Sequence, residues 1–510
     1  MGTSIPLEGD EPNQPTNQDG EYRETKPSLC YVQNAQDQVW VDLPGFPSVT
    51  DIMFRHHTEL VHRKAQRKTS RYFGDVRISG QNRRVTELST PLLSRATTFF
   101  LHHYVFAARA NFDTGPPKGV HEFLPVLLRN AKSTSALGTI VSAAGLAALA
   151  NACTSVAWKY QAYRLYGEAI QQLQSDIKDP HLMKSDDVLA TVLLMGTFEM
   201  ISAADPMSLE SFTKHVVAGA QCVQMRGPTQ FRGEVPATLF TQMRRLIVMS
   251  CHQMQEPLPY GLKIWSSWAA PAQRRDEASL NLFSELNEQL AAVRSEIKHK
   301  GITNPSTIIE LLSPIDFMLE DWSMKLPDSW AFKSYRALPS ETSSDESCKL
   351  QYDMYPDLWV ASMWNNYRMD RIMIHETIIG TALKYGSEKE RNGLQYSRGI
   401  LKEMANGVFH SVPYTLGHQR GSLSAERDAS TRLPDGSPLP GGYLLVWPLF
   451  LAGSVTTTPP DLRKWASVTL QDIGLRTGMQ LALSMAKKLE QTHLSFLDKQ
   501  IWLVGEFYPS

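Results

Sequence analysis

Residues 225–251 read MRGPTQFRGEVPATLFTQMRRLIVMSC, and the path of the chain through them decides the fold. Two Arg-Gly pairs and a proline interrupt a sequence that is ready to be helix on both sides. Gly227 and Gly233 can take the left-handed backbone that ends a helix. Pro236 suits the first turn of a new helix, where a missing N–H costs nothing. Beyond it Leu239, Met243, Leu246 and Ile247, then Ser250, recur at helical spacing, with Arg244 and Arg245 off that face. The ingredients allow a phosphate-binding or catalytic loop as well as a corner between two packed helices. Periodicity on both sides favours the corner.

Helical patterning continues in both directions. LLSRATTFFLHHYVFAARANF (92–112) reads as an amphipathic helix stopped by Gly115, Pro116 and Pro117. A helical register runs from Ala157 to Ile177. SDDVLATVLLMGTFEMI (185–201) opens on a Ser/Asp cap and is apolar almost all round, which places it centrally. DLWVASMWNNYRMDRIMIHETIIGTAL (357–383) is a strong helix, and 459–487 and 490–504 are expected to close the chain as helices. Sustained period-two runs and hairpin dipeptides are missing. The expected fold is therefore all-α, an irregular array of antiparallel helices, with long loops at about 325–350 and 411–442 where Pro, Ser and charges lose all period. No repeat of fixed length indicates a solenoid.

A chain of 510 residues exceeds one ordinary core. Its net charge of −1 gives no bulk attraction to nucleic acid or membranes. The charge is nevertheless unevenly placed. Residues 1–50 form an acidic leader of disordered composition, whereas 51–90 form a basic linker containing HRKAQRKTSR (62–71). Such a run serves nuclear import or phosphate contact, or is a solvated helix face. Residues 91–510 make the helical domain. Five cysteines, at 30, 153, 222, 251 and 348, contain no C-x-x-C, so spacing excludes a compact zinc knuckle and suggests no disulfide framework. From Ser133 to Trp158 there is no charge, but Ala, Gly, Ser and Thr dominate and Asn151 sits in the middle. That composition favours a tightly packed buried helix over a membrane span.

Catalytic signatures are missing too. HETII at His375 lacks the second histidine of a zinc protease, and no nucleophile elbow, P-loop or dinucleotide fingerprint occurs. His56, His57, His62, His102 and His103 read as surface or satisfied side chains. Asp186 and Asp187 suit a helix start. No catalytic, cofactor-binding or metal-binding residue is assigned, and no enzyme activity is expected. The distinctive polar residues lie in 357–383, where Asn365, Arg368, Arg371 and His375 share one side beside Trp364 and Tyr367. Such a line binds an anionic ligand or fixes helices through buried hydrogen bonds; the second is favoured. Glu199 and Arg368, charges on apolar helices, are expected to have buried or half-buried polar partners, with one another among the candidates.

In order and spacing, SDDVLATVLLMGTFEMI, FTKHVVAGAQCVQMRGP, PATLFTQMRRLIV and MWNNYRMDRIMIHETI resemble the regulatory region of fungal binuclear zinc-cluster transcription factors. The matching positions are Phe198 and Glu199; His215, Gly219 and Ala220; Arg226 and Gly227; Leu239, Phe240 and Arg244; Trp364, Asn365 and Arg368. HEFLPVLL (121–128) resembles the region's start, so the likeness spans roughly 90–510.

The resemblance implies a nuclear transcription regulator, commonly one that controls a metabolic or secondary-metabolite gene cluster. Its partners would be proteins, either the transcription machinery or a zinc-cluster factor, joined as a homodimer or heterodimer. The six-cysteine module that reads DNA in such factors has no counterpart in residues 1–90, which hold Cys30 alone. No specific DNA binding by this chain alone, no bound zinc and no membrane association are therefore expected. The alternatives are a helical small-molecule-sensing module, or the truncated product of a full zinc-cluster activator.

Overall fold

A computed structural model describes residues 91–107, 119–203, 207–269, 278–336, 351–417 and 440–491. The acidic leader, the basic linker and most of the helix expected at 490–504 lie outside them. All described residues fall in one unit, Leu43–Ser510.

The chain folds as expected into stacked helices. α1 (Leu92–Tyr104) is followed by the two-stranded β1 (Phe106–Ala107) and β2 (Gly119–Val120), then α2 (Leu124–Asn130), α3 (Ala136–Ala152), α4 (Val156–Lys178), α5 (Asp186–Ser202), α6 (Met207–Arg226) and α7 (Glu234–Met254). α8 (Leu262–Ala269), α9 (Ala278–His299) and α10 (Pro305–Met324) lead to a second small pair, β3 (Lys333–Tyr335) and β4 (Tyr352–Met354). The chain continues through α11 (Leu358–Tyr385), α12 (Glu388–Asn392), α13 (Gln395–Thr415), α14 (Pro440–Ser454), α15 (Pro460–Thr477) and α16 (Gln480–Glu490). Both strand pairs are antiparallel.

Local chemistry sets many of the boundaries. The side chains of Ser135, Ser155, Ser185, Asn304 and Asp357 each accept the backbone N–H three residues on, and so cap α3, α4, α5, α10 and α11. Ser387 and Glu390 form a reciprocal capping box on α12.

Several expected boundaries move. The first helix stops at Tyr104 rather than running to 112, because the chain turns into β1. The uncharged stretch 133–158 is broken at Cys153–Ser155, so its helix is only 17 residues long. No described helix is long and apolar enough to cross a membrane. The loop expected at 411–442 is narrower: 411–415 complete α13 and 440–442 begin α14. Pro413 sits within α13, and neighbouring helices bury Val412 and Tyr414 despite the weak local propensity. Residues 459–487 are two helices, divided at Gly478, whose positive φ of 73° favours glycine.

α3 is the hub, packing on α1, α4, α5 and α15. Its small residues permit this. A Cβ at Gly145 would run into the carbonyl oxygen of Ala96 on α1. Asn151 joins separate parts of the array by donating to the carbonyls of Ile201 (3.0 Å) and Gly478 (2.8 Å). Tyr104 donates to Thr477 O at 2.9 Å, so the C-terminal helices close back onto the N-terminal ones.

Candidate functional site

The Met225–Cys251 stretch is a corner. Gly227 has φ 65°, a short 3-10 turn spans Pro228–Phe231, and α7 begins at Glu234 with Pro236 in its first turn. Arg226 is committed internally: it donates to Ser185 O at 2.6 Å and pairs with the Asp186 carboxylate, fixing the end of α6 to the start of α5. It offers no anchor for phosphate. Arg244 is also buried, and its Nε donates to Glu288 Oε1 at 2.6 Å, which ties α7 to α9. At the α6–α7 crossing, a Cβ on Gly219 would meet the Met243 side chain.

Glu199 lies buried on α5. Tyr166 of α4 donates its hydroxyl to Glu199 Oε1 at 2.8 Å, and the same hydroxyl lies 2.7 Å from His215 Nε2 on α6. The Tyr166 ring stacks on Phe198 with centroids 4.2 Å apart. Burial, followed by the negative charge of Glu199, pushes the tyrosine pKa well above its usual value, so the hydroxyl keeps its proton and its role as donor. One motif glutamate and one motif histidine thus meet through a tyrosine that sequence reading did not single out.

The α11 polar line is structural throughout. Arg368 Nη1 donates to Tyr355 Oη (2.8 Å) and Asn365 Oδ1 (2.9 Å), and Nη2 lies 3.5 Å from Asp353 Oδ2. Asn365 Nδ2 reaches Ser411 Oγ on α13 at 2.9 Å. The Arg368 guanidinium also lies 5.3–5.9 Å from the rings of Phe332, Tyr355 and Trp364. One turn on, Arg371 grips Asp316 of α10 with Nε at 2.7 Å and Nη2 at 2.9 Å, and donates to Tyr367 Oη at 3.0 Å. His375 Nε2 lies 3.2 Å from Asp316 Oδ2, and its Nδ1 lies 3.1 Å from Ser397 Oγ. Burial alone would raise the Asp316 pKa, but His375 and Arg371 outweigh it and hold the carboxyl at about 2.

Glu199 and Arg368 therefore do have the buried polar partners expected of them, but not each other. Arg368 is spent on Asp353, Tyr355 and Asn365. An exposed sensing arginine beside Trp364 is thereby excluded.

Two other features complete the chemistry. A small, partly open apolar groove runs between α6 and α7, lined by Val216, Val217, Ala220, Ile247, Cys251 and Met254. Burial pushes the Cys251 thiol up to about 12, so it is a packing group and not a nucleophile. Among the described residues no three His, Cys, Asp or Glu side chains cluster in a way that could hold a metal ion.

Comparison with known proteins agrees with the motif reading. Residues 99–290 match the fungal specific transcription factor domain. That span contains the Glu199–Tyr166–His215 cluster, the Gly227 corner and the Arg244–Glu288 pair. The chain is also 22% identical to "Transcription factor dbaG" of Emericella nidulans over a 422-residue alignment, covering 74% of this chain and 94% of that protein. No solved structure gives a significant match.

Proposed function

We propose that this chain, which carries a fungal specific transcription factor domain at residues 99–290, is a nuclear transcription regulator acting through protein partners. The partner is the transcription machinery or a zinc-cluster factor, engaged as a homodimer or heterodimer. The regulated genes belong to a metabolic or secondary-metabolite cluster. The observation that supports this reading most is the alignment to a transcription factor along nearly that protein's whole length. The buried side chains that would otherwise suggest catalysis are used instead in holding helices together. Glu199, Arg226, Arg244, Arg368 and Arg371 each meet a polar partner within the fold.

Transcript profiling of a deletion strain tests the proposal. Loss of the gene should change expression of a contiguous gene set coordinately, and a tagged copy should concentrate in the nucleus. An unchanged transcriptome under conditions where the gene is expressed, or exclusion of the tagged protein from the nucleus, refutes it. The purified chain alone should bind DNA weakly and without sequence preference. Its contacts would come from the basic 52–84 stretch and fade steeply with salt. Tight, sequence-selective binding in an anisotropy titration at physiological salt would overturn the dependence on a partner.

A further inference from the structure

Five arginines are buried among the described residues: Arg226, Arg244, Arg294, Arg368 and Arg371. Four are each paired with a carboxylate, respectively Asp186, Glu288, Asp353 and Asp316. Arg294 on α9 is the exception. It is 3% exposed, and its one hydrogen bond runs from Nη1 to Thr377 Oγ1 on α11 at 3.3 Å. Its Nε and Nη2 are buried and have no partner. These two atoms form the side-on fork that grips a carboxylate with two parallel hydrogen bonds. Arg371, which precedes Thr377 on α11, uses the same two atoms on Asp316.

The surroundings of Arg294 are polar as well. His252 on α7 is 7% exposed and faces Asn287 of α9, but neither ring nitrogen makes a close, well-aligned hydrogen bond. Asp370 on α11 is 2% exposed and accepts from Asn287 Nδ2 of α9 at 2.7 Å. Both His252 and Asp370 lie within electrostatic reach of Arg294. Three helices thus bring a guanidinium fork, an imidazole, a carboxyl and a carboxamide to one buried seam.

We propose that this α7–α9–α11 seam binds the carboxylate of a small organic acid, seated side-on against Nε and Nη2 of Arg294. The local charge suits that guest. Burial, with the Arg294 charge next, lowers His252 to about 3, so the imidazole is neutral and supplies one donor. Burial raises Asp370 above the usual carboxylate range despite Asn287 and Arg294, which weakens it as a competing anion. A desolvated guanidinium with two unmet donors favours a planar anion over water, because charge-assisted bidentate bonds are the strong ones. The site stands on this geometry alone and does not depend on the regulatory reading.

Acetate is the probe. The full chain is titrated with sodium acetate at ionic strength held constant with sodium chloride, followed by calorimetry and thermal shift, with sodium nitrate in parallel. Wild type should give saturable acetate binding. Arg294→Lys keeps the charge but loses the planar fork, and should bind acetate about tenfold more weakly or not at all. Where that variant fails to fold, Asp370→Asn serves instead: it preserves the fork and removes the nearby carboxyl, so it should bind acetate at least as tightly as wild type, and loss of acetate binding in it overturns the proposal. No saturable acetate response in wild type overturns the proposal. So does an equal response in Arg294→Lys, which would mark a general salt effect. Saturation by nitrate without acetate would overturn the carboxylate assignment, as would a crystal grown in acetate that shows only water against the Arg294 fork.

Discussion

Removing Asp316 should be among the most damaging single changes in this protein. The carboxylate is 5% exposed and accepts two hydrogen bonds from Arg371, itself 2% exposed. Asp316→Leu leaves the guanidinium buried with only Tyr367 as a close buried partner. Loss of one member of a buried, hydrogen-bonded pair costs about 3–5 kcal/mol. Arg371→Met leaves Asp316 with His375 alone and should cost a similar amount. The double variant removes both charges, so its loss should fall several kcal/mol short of the sum of the singles. Lys325 and Asp321, also at the C-terminal end of α10, form an exposed pair at 2.6 Å and serve as the internal control. Cutting it with Lys325→Ala should change stability by less than about 1 kcal/mol. Urea unfolding at neutral pH measures all four variants. The clamp also predicts a pH dependence. Asp316 is held at about 2, below its ordinary 3.8, so its stabilisation is complete above about pH 4 and is lost as pH falls towards 2. The shift corresponds to about 2 kcal/mol, and the wild type should lose that much more than Asp316→Asn across this window. Small single effects that simply add, together with an acid limb unchanged in Asp316→Asn, would refute a buried clamp.

Gly145→Ala should destabilise by about 1–3 kcal/mol, since its Cβ meets backbone of α1 that cannot yield cheaply. Gly399→Ala, in α13 with nothing near its Cβ, should instead stabilise by roughly 0.5–1 kcal/mol; opposite signs in thermal unfolding are the check. Tyr166→Phe removes the hydroxyl that bridges Glu199 and His215 and should cost about 1–3 kcal/mol, whereas an effect within 0.5 kcal/mol, a roughly surface-like value, would show that the bridge is not needed. Glu199→Gln and Arg368→Met should add within about 0.5 kcal/mol in a double-mutant cycle, because the two charges have separate partners. A larger coupling would place them in one network.

The all-helical class was legible because 3.6-residue periodicity, serine and aspartate caps and the Gly227 corner are local properties. A helix boundary requires only a handful of adjacent residues, so Ser185, Ser155 and Asp357 announce theirs in one dimension. The ordered motifs were legible for a related reason: a run such as MWNNYRMDR keeps its spacing whether or not its partners are known. Which carboxylate meets which arginine was not legible. Asp316 and Arg371 are far apart in sequence, as are Tyr166 and His215, and only packing chooses among the chain's many acids and hydroxyls. For that reason Glu199 and Arg368 stand out in the sequence as charges that need partners, while only the fold gives Tyr166 to the one and Tyr355 and Asp353 to the other. The helix end at 411–415 is not legible beside Pro413, because burial of Val412 and Tyr414 overrides local propensity. The unmet fork of Arg294 lay furthest from view, because its single hydroxyl contact becomes apparent only once every other buried arginine has found its acid. Sequence sets the elements through short-range backbone chemistry; tertiary structure sets the partners, because desolvation makes each buried charge depend on whatever the fold brings beside it.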